Sequence, residues 1–374
     1  MWITLLVFLA LLGGLLLVFR LSKGSSASDQ NTPSEAPESN NTQVKPEPIP
    51  EVPVPIEPLP LSPTQLPESL RDFKLAEFSD LDETKKQSLQ LALNRIGLPS
   101  PTAQQLLLVD FHGADAHEKL VKLVAHEPQL TAKIIGRLNS AFYGLTTPIS
   151  DIEHAITYLG MFTVRSLALQ FAMEQSLSRK SDALIVQARE VFHVSAIAAE
   201  LCLHLSTHLD FAEPSALTTQ TILSSLGNLA MLQLLPPKSA VSNRSLNIVE
   251  RTKVEQGAFG IHSGIASQLL MQRWNLPPAL IESVGDIQRL PFTPAVTHPS
   301  LAQSHQALCY LCIWMAEGIV QKQIRRQSQI NLRDKTCPEL FHLQPFLDVL
   351  PLNPLPKLIL SPVVERLLLR LIVS

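Results

Sequence analysis

The chain has 374 residues, 45% of them hydrophobic but only 5% aromatic, so Leu, Ala, Ile and Val must fill the core of one large domain or two modest ones. Its formal net charge of -3 excludes a general polyanion binder, and Lys322, Arg325 and Arg326 are too small a basic cluster to make a nucleic-acid face. Four cysteines (Cys202, Cys309, Cys312 and Cys337) are too few for a disulfide framework and fit reduced thiols in a cytosolic body.

The first element is the apolar run 2–19, about 18 residues without a charge, which is near the lower end of what spans a bilayer. A secretory signal peptide competes with this reading. However, no basic residue precedes the run, and Val18, Phe19 and Leu21 are too bulky for a cleavage site. Arg20 and Lys23 follow it, so the positive-inside rule predicts an uncleaved single-pass anchor over 1–23 in the inner (cytoplasmic) membrane, with the main body in the cytoplasm. Ala10 and Gly14 form a small-xxx-small pair through which two such helices can touch, which leaves a homo-oligomer open. Residues 24–68 then read as a disordered, Pro-rich linker. Proline fixes φ and removes backbone donors, and at about 3.1 Å per residue the linker works as a spacer.

From residue 70 onward the pattern is helical nearly throughout. A leading segment (70–103) holds an amphipathic helix over 82–96, stopped by Gly97 and Pro99. Helices follow over 116–125 and over 129–138, the latter with Leu130, Ile134, Ile135 and Leu138 on one face. Asp151 caps a short helix ending at Leu159, with Gly160 as its stop. Longer runs cover 163–177, 181–205 and 214–235, the last ended by Pro236 and Pro237. The spans 260–274, 278–286 and 301–323 come next, and a C-terminal tail (324–374) carries one short helix over 362–371. No run alternates with period two, so the predicted fold is all-α, a multi-helix bundle behind a single transmembrane helix and a linker.

Four stretches, taken in order, resemble one family. Residues 126–144 read His-Glu-Pro-Gln-Leu-Thr-Ala-Lys-Ile-Ile-Gly-Arg-Leu-Asn-Ser-Ala-Phe-Tyr-Gly. Residues 149–164 place Ile152, Ala155, Ile156, Leu159, Gly160 and Val164 at characteristic spacings. Leu-Ser-Ser-Leu-Gly-Asn occupies 223–228, and Glu255 precedes Gly260, His262 and Trp274-Asn275-Leu276-Pro277. Together they resemble the HDOD family, the HD-related output domain, over about 104–323. The signature residues also read physically as scaffold. Pro128 can open a helix, Asn139 and Ser140 suit a helix end, and Gly144 and Gly160 suit positive φ. Trp274 and Pro277 punctuate the last segment.

The resemblance implies an HD-like bundle in which an adjacent His-Asp pair would hold a divalent metal and activate its water. In this chain Ser224 and Ser225 stand at the two ligand positions, and Asn228 stands where a cation would follow the glycine. Neutral hydroxyls are poor substitutes for either ligand. His193 falls near the first ligand position and His262 near a later one, which makes them candidate pocket residues or simply hydrogen-bonded residues between helices. Asp286 is a further acidic candidate whose register is open. Two imidazoles without a carboxylate make a weak metal site, so neither a metal nor a cofactor is expected.

Two other constellations carry little. His204 and His208 lie at i, i+4 with Cys202 close in sequence, but Cys202 projects elsewhere and no fourth ligand is near. Cys309 and Cys312 match Cys-x-x-Cys without a second pair or a βαβ context, and read as packed small hydrophobes. Neither a glycine-rich phosphate loop nor a serine nucleophile elbow is present. The expectation is a non-catalytic, membrane-anchored signalling or scaffolding module acting on a protein partner. The alternative is a residual metal-dependent phosphohydrolase or a nucleotide-binding pseudoenzyme.

Overall fold

The computed structural model describes residues 66–94, 96–97, 102, 105–106, 115–140, 143–177, 182–234, 246–294 and 299–373. The predicted anchor (1–23) and almost all of the predicted linker lie outside the described residues. Among the described residues no helix is long and apolar enough to cross a membrane.

Every regular element among the described residues is helical. In chain order they are α1 (Glu83–Leu93), α2 (Ala116–Ala125), α3 (Pro128–Leu138), α4 (Ile152–Leu159), α5 (Met161–Leu177), α6 (Asp182–His208) and α7 (Pro214–Leu234). There follow α8 (Ile248–Phe259), α9 (Ser263–Arg273), α10 (Pro278–Arg289), α11 (Leu301–Val320), α12 (Pro338–Phe341), α13 (Leu355–Ile359) and α14 (Pro362–Val373).

Local chemistry sets most boundaries. Asp151 accepts a hydrogen bond from the His154 N–H at 2.9 Å and starts α4, and Gly160 with φ 81° ends it. Pro128 sits in the first turn of α3, where its missing N–H costs nothing. At the other end of α3, Asn139 donates from Nδ2 to the Ile149 carbonyl at 2.7 Å and accepts from the Ile149 N–H at 2.9 Å, so one amide pins the following loop to the helix. Ser140 donates to the Arg137 carbonyl at 2.7 Å, and Gly144 adopts φ 59°. The orphan carbonyls after α1 are taken by one guanidinium: Arg273 donates to Leu93 O at 2.8 Å and to Ile96 O at 2.6 Å.

The apolar residues collect into two main cores. The first gathers Leu120, Ile134, Leu138, Ile156, Leu226, Met271 and their neighbours from α1 to α5, α7, α9 and α10. The second gathers Leu201, Leu205, Tyr310, Leu311 and the C-terminal residues Leu343, Phe346, Leu352 and Leu355. α6 feeds both, with Val191 and Ala199 in the first and Ile197, Leu201 and Leu205 in the second. α7 is buried almost all round from Leu217 to Leu232, as expected of a central helix with no polar face.

Three expectations are corrected. α8 has no counterpart among the predicted helices: its buried residues include Arg251, Thr252 and Glu255, so it lacks an apolar stripe. The helix expected over 260–274 starts at Ser263, because Gly260 (φ 73°) terminates α8 and His262 caps α9. The stretch expected to be a tail packs instead: Leu340, Leu343, Leu347, Leu352 and Leu355 are all fully buried. Glu339 fastens that stretch to the bundle by accepting from the Ile248 N–H at 2.8 Å and from Trp314 Nε1 at 3.2 Å.

Candidate functional site

The positions of the degenerate motif lie in the middle of α7, where it crosses α9. The crossing is close because residue 227 is glycine. A Cβ there would stand 1.7 Å from the Ser263 carbonyl oxygen, so no other residue fits without moving a helix. The Gly227 N–H donates to Ser267 Oγ at 2.7 Å, and Ser267 Oγ donates to the Ser224 carbonyl at 3.1 Å. Ser224 Oγ donates to the Thr221 carbonyl at 2.7 Å, inside its own helix, and both Ser224 and Ser225 are buried. From α10, Gln288 Nε2 donates to the same Ser224 carbonyl at 3.4 Å. Asn228 is buried, with its Oδ1 unpaired.

His262 belongs to the same neighbourhood as a cap. Its Nδ1 accepts from the Gly264 N–H at 3.1 Å, which leaves the ring proton of the neutral form on the buried Nε2. Burial lowers its pKa from 6.5 to about 4, with the Ala76 carbonyl opposing and Arg289 adding to the depression. Nε2 makes no hydrogen bond within ordinary limits, so the Ala76 carbonyl acts on it only weakly. Glu255 completes the cap, its Oε2 accepting from the Ser263 N–H at 2.8 Å. Asp286 meets Gln306 Nε2 at 3.1 Å and Arg289 at 3.6 Å, and its pKa is raised by burial.

A divalent metal of the HD type does not fit these residues. The Ser224 hydroxyl is committed to a backbone carbonyl and Asn228 offers a neutral amide. The only His262 nitrogen left for a metal would be Nε2, which is buried near Ala76. Among the described residues no group of three or more His, Cys, Asp or Glu side chains is disposed to hold a metal ion.

His193 stands elsewhere. It is exposed on α6 at the rim of a shallow, open groove lined also by Arg137, Tyr143, Ser166, Gln170 and Glu200; His262 is not on that wall. Its pKa is lowered, first by partial burial and then by the Arg137 charge. Tyr143 is pushed up to about 12 by burial and by Glu200, against the pull of Arg137. The two histidines proposed from sequence as one pocket therefore serve two places. Arg137 and Tyr143 sit inside the 126–144 signature, where sequence reasoning assigned only scaffold roles.

The remaining candidates resolve in the same way. Trp274 is buried and ends α9, and Pro277 opens α10 with Pro278 in its first turn. His204 and His208 lie at the surface, His204 Nε2 3.6 Å from Glu200 and their rings stacked at 6.5 Å. Cys202 is fully buried and shares its surroundings with Cys309 and Cys312, whose thiols burial pushes well above their ordinary value. The packing expected for Cys309 and Cys312 is thus observed, whereas the proximity of Cys202 was not legible from spacing.

The HDOD domain family model matches residues 102–289, and the chain belongs to the HDOD family. No curated protein matches the chain. Among solved structures, a protein named "putative phosphohydrolase" from Shewanella amazonensis SB2B aligns at 18% identity over 77% of this chain and 98% of its own, with a TM-score of 0.49. An HDOD domain protein of unknown function from Geobacter sulfurreducens aligns at 14% identity over 75% and 97%, also with a TM-score of 0.49. A "putative signal transduction protein" from Marinobacter aquaeolei VT8 aligns at 17% identity over 75% and 67%, with a TM-score of 0.45.

Proposed function

We propose that this HDOD protein is a non-catalytic signalling or scaffolding module that works by binding a protein partner. In this reading residues 1–23 anchor it in the inner membrane, the Pro-rich linker sets its reach, and the helical body faces the cytoplasm. One observation carries the reading: the motif positions Ser224, Ser225 and Asn228 are neutral and buried in α7 beside its crossing with α9, where Gly227 meets Ser263 and Ser267 and the Ser224 carbonyl accepts from Ser267. Metal activation of water needs charged or imidazole ligands facing a space that a substrate can enter. Buried hydroxyls within a close helix contact supply neither.

In-membrane crosslinking of the full chain tests the proposal. A single saturable protein partner, lost when excess untagged chain competes, is the expected result. Recovery of the chain without a partner, together with Mn²⁺-dependent hydrolysis of a phosphodiester, would favour the residual phosphohydrolase instead.

A further inference from the structure

Residues 66–77, through which the preceding chain enters the bundle, lie along α8. A short turn (Glu68–Leu70) leads into a non-helical stretch whose contacts keep step with the helix. Leu70 clusters with Val249 and with Phe341 of α12, and Lys253 Nζ stands 5.3 Å over the Phe73 ring. Gln256 Nε2 donates to the Lys74 carbonyl at 2.9 Å, while its Oε1 accepts from the Ala76 N–H at 2.8 Å. Residues 249, 253 and 256 recur at helical spacing, so one face of α8 seats this segment from end to end. The chain then becomes fixed: Phe78 and Leu81 pack into the first core, and Leu81 lies against Gly260, where a Cβ would meet its Cδ2 at 2.9 Å.

The same segment covers His262. That residue is buried, its Nε2 has no hydrogen-bond partner, and the neighbouring polar group is the Ala76 carbonyl. Closure therefore carries a penalty that opening relieves, since water then reaches Nε2. The hold on the segment is slight compared with that on the bundle. Of residues 66–77, all described, Leu70 alone is buried, and the polar seam runs through the Gln256 amide. We propose that residues 66–77 are a releasable strap, pivoting where Phe78 and Leu81 enter the core, whose lifting from α8 exposes His262 and the start of α9 while the bundle stays folded.

Such a strap links the chain before residue 66 to the degenerate motif. His262 Nδ1 accepts from the Gly264 N–H, and the carbonyl of the intervening Ser263 is the group that Gly227 of α7 abuts. A pull or a bound partner on the preceding chain bears first on residues 66–77, and then through His262 on the α7–α9 crossing. The device stands apart from the question of catalysis.

The test labels the full chain, in detergent at neutral pH, with diethyl pyrocarbonate, which acylates accessible neutral imidazoles, and reads each histidine by peptide mass spectrometry. His154, with a side chain 80% exposed, gives the unprotected rate in the same sample. The expected result is slow labelling of His262, with a rate that rises with urea far less steeply than full unfolding followed by circular dichroism, the mark of a local opening. Gln256→Ala deletes both seam hydrogen bonds and should raise the His262 rate about tenfold relative to His154. Should that variant lose its fold, Phe73→Ala takes its place with an increase of the same direction expected. A His262 rate with the urea slope of full unfolding, no labelling of His262 in the folded protein, or a rate unmoved in the folded variant overturns the proposal.

Discussion

Replacing His262 by Asn isolates the buried imidazole at the start of α9. Asn preserves a side-chain acceptor for the Gly264 N–H, which His262 Nδ1 now supplies at 3.1 Å, and removes the titrating ring. His262 has a folded pKa of about 4 against 6.5 in the unfolded chain, mainly because it is buried. The unfolded state therefore binds more protons between those values, and the neutral histidine's contribution is fully present above pH 6.5 and lost as pH falls toward 4. The gap corresponds to about 3 kcal/mol. Urea unfolding of both proteins from pH 7.5 to pH 4 reads it directly. The stability difference between the wild type and His262→Asn should shift by about 3 kcal/mol in favour of the variant across that window, whatever the other groups contribute to both. A difference that stays constant with pH would refute the assignment of a neutral, buried His262.

Gly227→Ala should destabilise by about 3 kcal/mol or more, because its Cβ would fall 1.7 Å from a backbone oxygen rather than against a flexible side chain; thermal unfolding that matches the wild type would contradict the close crossing. Arg251 and Glu317 form a buried bidentate pair at 3.1 and 2.6 Å, so Glu317→Ala, which strands the guanidinium, should cost about 3–5 kcal/mol by urea midpoint, while a loss below about 1 kcal/mol would mean that the pair is not buried. A reporter fused after Ser374 should read out on the cytoplasmic side, and a periplasmic readout would overturn the orientation drawn from Arg20 and Lys23.

How far the fold was legible in the sequence depends on which physical signal each element carries. Helices whose inward face is apolar announced themselves, as α3 did through Leu130, Ile134 and Leu138, and their ends followed from Pro128, Asp151 and Gly160. α8 was invisible because it buries Arg251 and Glu255, and such charges are tolerable only against partners 66 and 8 residues away in sequence, Glu317 and the Ser263 N–H. The C-terminal stretch hid for another reason. Its helices α12 and α13 run only four and five residues, too short to show a period, although Leu343 and Phe346 are core residues. At the site, the loss of ligands at Ser224 and Ser225 was readable, but what replaced them was not. That depended on where Ser267 and Gln288 arrive from 43 and 64 residues away. Arg137 and Tyr143 looked like scaffold because nothing in their own segment shows that α6 brings His193 to them.

The most direct measurement on the central claim is elemental analysis of the purified full chain, combined with an assay of phosphodiester and nucleotide turnover in added Mn²⁺. A module whose motif positions are buried neutral groups should carry no stoichiometric metal and turn over nothing above buffer. Stoichiometric metal with Mn²⁺-dependent turnover would contradict it.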